Sequence, residues 1–276
     1  MCGVRGSTPA PGPDHAGVGG CTSCVALGSI GGAPRLVLDA GTGIRNLTAV
    51  LDGAPFRGTI LLGHLHWDHT TGLPFFAAGD RDDAVVALRL PEQGVDAEEL
   101  LGRAMAPPHF PITPAELRGR WSFSSIDEGT ESVEGFEVLV REIPHKGGRT
   151  LGFRISDPDG GSVAYLSDHG PVALGPGDDG LGELHPAALE LARDVDVLFH
   201  DAQYTCAELP GRATWGHSAA DYAARLGAEA GARRVLLYHH DPSRTDDQVE
   251  QVLSEVRASH PRTRVDAAVE GMVIEL

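Results

Sequence analysis

Residues 61–72 read Leu61-Leu-Gly-His64-Leu-His66-Trp-Asp68-His69-Thr-Thr-Gly72, placing three histidines and one aspartate within six residues of an apolar run. Imidazoles and carboxylates at that density are costly to desolvate unless something binds them. On an extended backbone His64 and His66 point the same way. Asp68 and His69 lie where the chain must turn, and a turn can swing both towards the same point from another side. Such a donor set suits Zn²⁺, with Mn²⁺ or Fe as alternatives. The competing reading, a polar loop rich in histidine, accounts for one such residue but poorly for four in this pattern.

The elements that must position these groups are short. Arg35–Asp39 and Thr59–Gly63 read as buried strands, with a helix near Ile44–Leu51 between them; Ala84–Leu88 is a further strand and Asp96–Met105 has helical spacing. Phe136–Ile143, Leu151–Ile155 and Val163–Leu166 read as strands, and Asp-Pro-Asp-Gly-Gly at 157–161 is a turn. The second half alternates: strand Val195–Phe199, helix Ala219–Ala230, strand Arg234–Tyr238, helix Asp246–Ser259, strand Thr263–Asp266. Helices that follow strands pack on sheet faces, which predicts an α/β fold in a single domain spanning 1–276. Residues 1–34 read as glycine-rich loop around one short strand.

Composition narrows the partners. Thirty-nine acidic against 22 basic residues give a net charge of −17, with no basic stripe. Long nucleic acids are gripped largely through basic groups on phosphates, so none is expected as a partner. A small anionic substrate remains compatible if metal ions supply local positive charge. The longest apolar runs are far below the ~20 residues that span a bilayer, and the N-terminus has no apolar secretion core. Four cysteines, Cys2, Cys21, Cys24 and Cys206, are too few for a disulfide scaffold. Cys21-Thr-Ser-Cys24 has zinc or redox spacing without a second pair to complete a site, and buried or incidental thiols are the simpler reading. The expectation is a reduced, cytoplasmic protein.

The His64-to-His69 pattern resembles the signature of the metallo-β-lactamase superfamily, a group of metal-dependent hydrolases, and later segments match it in order. Leu38-Asp-Ala-Gly-Thr-Gly43 resembles its early strand and turn, and His145 followed by Gly152-Phe-Arg-Ile155 is similar to a segment of the ribonuclease Z-like branch. Tyr165-Leu-Ser-Asp168 resembles the strand ending in a bridging aspartate, Trp215-Gly-His217-Ser218 a catalytic His-Ser loop, and Val235-Leu-Leu-Tyr-His239-His240 the last strand with its terminal histidine. The resemblance implies a four-layer αβ/βα sandwich and two divalent metal ions. His64, His66 and His145 would hold one; Asp68, His69 and His239 the other; Asp168 would bridge them. The residues themselves agree for Asp168, a carboxylate ending an apolar strand, and for His239, although His240 is a rival. His145 is the ligand least marked by spacing. His169 reads as supporting or exposed. His200-Asp201 reads as structural, with a carboxylate orienting a ligand histidine as the alternative.

Two metals ~3.5–4 Å apart lower the pKa of a water bridging them and withdraw charge from the scissile group. Asp68 would aim the resulting hydroxide, and His217 would neutralise charge or protonate the leaving oxygen. His217 also reads as a position at the start of helix Ala219–Ala230, with Ser218 as its cap. The resemblance departs in two places. The family opens with a fuller strand before Gly3-Val-Arg-Gly-Ser7, so either that strand is short or the chain starts inside it. Cys21 also stands where relatives carry Asn. The family covers β-lactams, thioesters, lactones, phosphodiesters and RNA. The His145 and Trp215–Ser218 segments favour a small, cyclic phosphodiester, with a lactone, ester or thioester hydrolase as the alternative. A tRNA 3′-end endonuclease would need a basic surface and a protruding arm, and only Ser156–Ser162 follow the Gly152–Ile155 segment. A non-enzymatic metal-binding module would need a degenerate site, which seven intact ligand positions oppose. Phe75, Phe76, Phe110 and Trp121 are candidates to stack a base, or else ordinary packing; His109 is a candidate substrate contact. The resemblance is compatible with a homodimer.

Overall fold

In the computed structural model, which describes residues 1–276, neighbouring residues of one strand face different cores. Strands β1 (Val25–Leu27), β2 (Leu36–Leu38), β3 (Arg57–Leu61), β4 (Val85–Pro91) and β5 (Arg120–Ile126) form one sheet in that spatial order. The pair β1–β2 is antiparallel and the rest are parallel. Strands β6 (Gly129–Val133), β7 (Phe136–Glu142), β8 (Leu151–Ser156), β9 (Ser162–Leu166), β10 (Val197–Asp201), β11 (Val235–Tyr238) and β12 (Val265–Ala267) form the other, from β12 to β6 in reverse chain order. Its β6–β9 half is antiparallel and its β9–β12 half parallel.

Leu36, Leu38 and Leu61 face Val138, Phe153, Tyr165, Phe199 and Tyr238 in the core between the sheets. The alternate residues Val37 and Ile60 pack instead with α1 (Ile44–Val50) and, across the same layer, α3 (Ala97–Gly102). Ala164, Leu166, Leu198, Val235 and Leu237 meet α4 (Pro186–Ala192), α6 (Ala220–Ala230) and α7 (Asp246–Ser259). Both faces of each sheet are thus covered, so its central strands read as unbroken apolar runs. The result is the expected αβ/βα sandwich. Two short helices, α2 (Trp67–Thr70) and α5 (Leu209–Arg212), belong to the loops.

Sequence patterning marks most of these elements within a few residues. Helix α7 begins where a capping box starts it: the Thr245 hydroxyl accepts from Gln248 N and the Gln248 side chain accepts from Thr245 N. Patterning does not mark β5, β6 or α4. Strands β5 and β6 are sheet edges rich in exposed polar residues: β6 carries almost no apolar period, whereas β5 does alternate, with half-buried Trp121 and Phe123 between exposed neighbours. The Asp157–Gly161 turn closes directly between β8 and β9 through Asp157 N to Gly161 O at 2.7 Å, and no arm is inserted there. No helix is long and apolar enough to cross a membrane.

Candidate metal centre

Parallel strands bring their C-terminal ends to one edge, and the chemistry gathers there. His64 and His66 follow β3, Asp168 follows β9, Asp201 ends β10 and His239 follows β11. Because β8 runs antiparallel to β9, the β7–β8 loop carrying His145 reaches the same edge.

Two donor groups carry the seven candidate ligands, and a third, overlapping set joins Asp168, Asp201, His217 and His239. His64, His66 and His145 offer nitrogens within 4.8 Å of one another, as do donor atoms of Asp68, His69, Asp168 and His239. Asp168 lies between them. Its Oδ1 is 3.9 Å from His64 Nε2, 3.7 Å from His145 Nε2 and 3.4 Å from His239 Nε2, and its Oδ2 is 3.0 Å from His69 Nε2. The structure thus brings all seven sequence-predicted ligand candidates together, with the Asp168 carboxylate facing both groups. His239 rather than His240 enters the cluster, because His240 Nε2 donates to Ala268 O at 3.0 Å. Both nitrogens of His64, His69 Nε2 and Asp168 Oδ2 are buried without a hydrogen-bond partner. Orphaned donors of these types, aimed at common points, fit divalent metal ions. Burial works against charge on Asp68, but His69 and His239 outweigh it and hold the carboxyl well below its usual range.

A shell of further groups aims these ligands. Asp39, which the sequence pattern does not single out, is fully buried. It accepts from His69 Nδ1 at 2.7 Å, Tyr165 Oη at 2.7 Å and Gly63 N at 2.7 Å. The signal for it existed: like Asp168, it is a carboxylate ending an apolar strand. Asp39 and His239 leave their strands at φ 61° and 58°. Such left-handed conformations are uncommon for residues with a Cβ and cluster at functional sites. His145 Nδ1 donates to Gly216 O at 2.6 Å, which leaves Nε2 for the centre.

His217 Nδ1 donates to Asp201 Oδ2 at 2.8 Å and lies 3.7 Å from Asp168 Oδ1. Burial lowers its pKa, and the Asp201 carboxylate outweighs that and holds the imidazole up to about 9. Asp201 thus orients a histidine, although His217 rather than a residue of the two donor groups. The capping role expected of Ser218 is not found: Ala219 is the N-cap of α6, and Ser218 Oγ donates to His169 O, tying the two loops together. His169 is fully buried rather than exposed, paired through Nδ1 with His200 Nε2 at 2.9 Å.

A cavity of about 340 Å³ opens over the centre, lined by Ser7, Leu65, His66, Trp67, Asp68, Asp168 and His217. None of the expected aromatic wall lines it. Phe76 is core packed on Phe56, Trp121 stacks on Phe123, and Phe75 meets Phe110 edge-on. His109 is exposed and also stands outside the lining. The aromatic residue at the cavity is Trp67, 75% exposed. Cys21 and Cys24 form no disulfide: Cys24 is buried, and Cys21 is half-buried with its N–H donating to Glu270.

Behind the site, His169, His200 and His240 are held neutral. Burial lowers all three pKa values, that of His240 to about 3. Unfolded histidine titrates near 6.5, so the unfolded chain binds more protons below that pH. Their stabilising contribution is complete above pH ~6.5 and is lost as pH falls towards the folded values. Calorimetry of the chelated protein should show a melting temperature that falls by at least ~2 °C between pH 6.5 and 4.5. The slope should be shallower in His240→Gln, which keeps a donor for Ala268 O without a titrating ring. Equal slopes would contradict the assignment.

Two layered sheets with a His/Asp donor set at the ends of their strands define the metallo-β-lactamase fold class. The chain belongs to the β-lactamase superfamily: the family model described as Beta-lactamase superfamily domain matches residues 34–240. It is 26% identical over 247 residues to Ribonuclease Z of Geobacillus kaustophilus, covering 75% of this chain and 77% of that protein. It is 30% identical over 236 residues to an uncharacterised Mycobacterium tuberculosis protein, Rv1339, covering 82% and 76%. The metallo-β-lactamase fold protein YhfI from Bacillus subtilis has the same fold, with a TM-score of 0.72, 17% identity and coverage of 100% and 98%. The protein is accordingly a hydrolase of this superfamily with a cluster able to hold metal ions.

Proposed function

We propose that the protein is a two-metal phosphodiesterase acting on small phosphodiesters, with cyclic nucleotides and ribosyl cyclic phosphates foremost. Zn²⁺ is the favoured metal, with Mn²⁺ or Fe as alternatives. The observation that carries this reading is His217, braced by Asp201 at 2.8 Å and facing the cavity beside the two donor groups. A poor alkoxide leaving group benefits from a proton at the leaving oxygen, and the Asp201 carboxylate holds the pKa of the His217 imidazole up to about 9. The Ribonuclease Z relative supports phosphodiester chemistry. The 340 Å³ cavity, the −17 charge and the tight β8–β9 turn favour a small substrate over tRNA. Unpaired cysteines support a reducing compartment such as the cytosol.

His64, His66 and His145 would hold one ion and Asp68, His69 and His239 the other, with Asp168 shared. When bound, such ions act as Lewis acids and make water nucleophilic near neutral pH. Asp68, kept ionised, lines the cavity and accepts a hydrogen bond that aims the attacking water. Asp201 fixes the His217 ring through Nδ1, so that Nε2 presents its proton to the leaving oxygen.

Elemental analysis paired with hydrolysis of bis(p-nitrophenyl) phosphate and a panel of cyclic nucleotides tests the reading. Two metals per chain with phosphodiester turnover are expected. Two metals with turnover of lactones or thioesters only would move the assignment to the ester-hydrolase alternative.

Trp67 offers an exposed π-face at the cavity, and base–aromatic stacking contributes about 1–3 kcal/mol. Trp67→Ala should raise KM for a cyclic nucleotide by about tenfold, and Trp67→Phe by less. Identical KM values in all three proteins would exclude stacking.

A further inference from the structure

The loop Gly6–Ser7 is pinned from below. Arg5 is wholly buried, its guanidinium donating to Gly19 O at 2.7 Å and Arg244 O at 2.7 Å, and Gly6 N donates to His240 O at 3.0 Å. On this anchor Ser7 adopts φ 59°, donates its backbone N–H to Asp68 Oδ2 at 2.7 Å, and lines the cavity. A residue with a Cβ held in the left-handed region beside a catalytic cluster is a pointer to function.

Gln203 explains what the Ser7 side chain is prepared for. Its amide is buried, and Nε2 donates to Ser7 Oγ at 3.3 Å. Its Oε1 and His239 Nδ1 are both buried without a partner, and both close on Gly6. A Cβ at position 6 would overlap the His239 ring and approach Gln203 Oε1 to 2.9 Å. When His239 serves through Nε2, Nδ1 carries its proton, and Gln203 Oε1 is an unpaired acceptor that borders the same glycine. The amide lies with its oxygen on the Gly6 and His239 side and its nitrogen towards Ser7. Ser7 Oγ then receives a hydrogen bond from Gln203, and its own hydroxyl proton is left to donate. Asp68 and Asp168 make the cavity wall acidic, so an anionic substrate needs donors there.

We propose that Ser7 Oγ donates a hydrogen bond to a non-bridging phosphoryl oxygen of the substrate, with Gln203 as the residue that positions it. This rests on the phosphodiesterase reading, and the test separates the two.

Inorganic phosphate is titrated calorimetrically into the zinc-loaded protein and into Ser7→Gly, Gln203→Glu and the double variant. Turnover of bis(p-nitrophenyl) phosphate and melting of the metal-free proteins are measured alongside. Glycine accepts the positive φ, so metal-free Ser7→Gly should melt no lower than the parent. Phosphate Kd should nonetheless rise about tenfold, the scale of one hydrogen bond to a charged group. Gln203→Glu should give a similar loss with Ser7 intact, because the new carboxylate takes the hydroxyl proton. The double variant should lose no more than either single change, since both remove the same donor. Phosphate affinity in Ser7→Gly within about twofold of the parent, or no phosphate binding by the parent, overturns the proposal. Phosphodiester turnover with unchanged variants overturns the Ser7 role alone. Sensitive phosphate binding without phosphodiester turnover overturns the phosphodiesterase reading and leaves the donor.

Discussion

Under the two-metal phosphodiesterase reading proposed above, Asp168→Ala should lower phosphodiester turnover by at least about a thousandfold and reduce the metal content from two ions per chain to one or none. This single carboxylate faces both donor groups: Oδ1 is 3.4–3.9 Å from His239, His145 and His64, while Oδ2 is 3.0 Å from His69. No other acidic side chain stands between the groups in this way, since Asp68 Oδ2 faces His69 and His239 and is partly used by Ser7 N. Removing Asp168 takes away the carboxylate that faces both donor groups and leaves buried imidazoles with less countercharge. A loss of several kcal/mol in transition-state stabilisation corresponds to about three decades in rate. Elemental analysis and kinetics on the same preparation check it. Full metal content with near-parental turnover would remove Asp168 from the centre.

His217→Ala should reduce kcat on an unactivated phosphodiester by about 10²–10⁴-fold, the range typical of a positioned proton donor. Bis(p-nitrophenyl) phosphate has a good leaving group and should suffer much less, and metal content should stay at the parental level. That contrast separates proton donation from metal binding: a ligand loss would depress both substrates and the metal together. Asp201→Asn tests the brace. Burial lowers the His217 pKa and the Asp201 charge raises it, so losing that charge lets the pKa fall. The protonated form then disappears at lower pH, and the alkaline limb of kcat/KM should move down. An unmoved limb would mean that His217 is not the titrating acid. On a lactone or ester, where the leaving oxygen makes a smaller demand, His217→Ala should be mild.

The local sequence determined a good deal. His64, His66, Asp68 and His69 were legible because four polar groups follow a buried strand, and burial without binding is costly. The layered α/β fold was legible because central strands covered on both faces must be apolar throughout, and helix α7 because its cap residues are spaced for a reciprocal hydrogen bond. Distant groups were another matter. Nothing local separates His239 from His240, or shows that Asp39 reaches His69 and Asp201 reaches His217, since those hydrogen bonds join residues 30 and 16 positions apart through the sheets. The aromatic residue at the cavity was misjudged for the same reason. Phe76 and Trp67 are both large apolar side chains, and only packing decides that one enters the core while the other stands over the metal-binding cluster. Ser7 and Gln203 carry no sequence signal at all, because a hydroxyl or an amide becomes functional only through the neighbours that fix its proton. Residue chemistry is written in the chain; which groups share a proton or a metal is decided by the tertiary structure, because such interactions act over only ~3 Å.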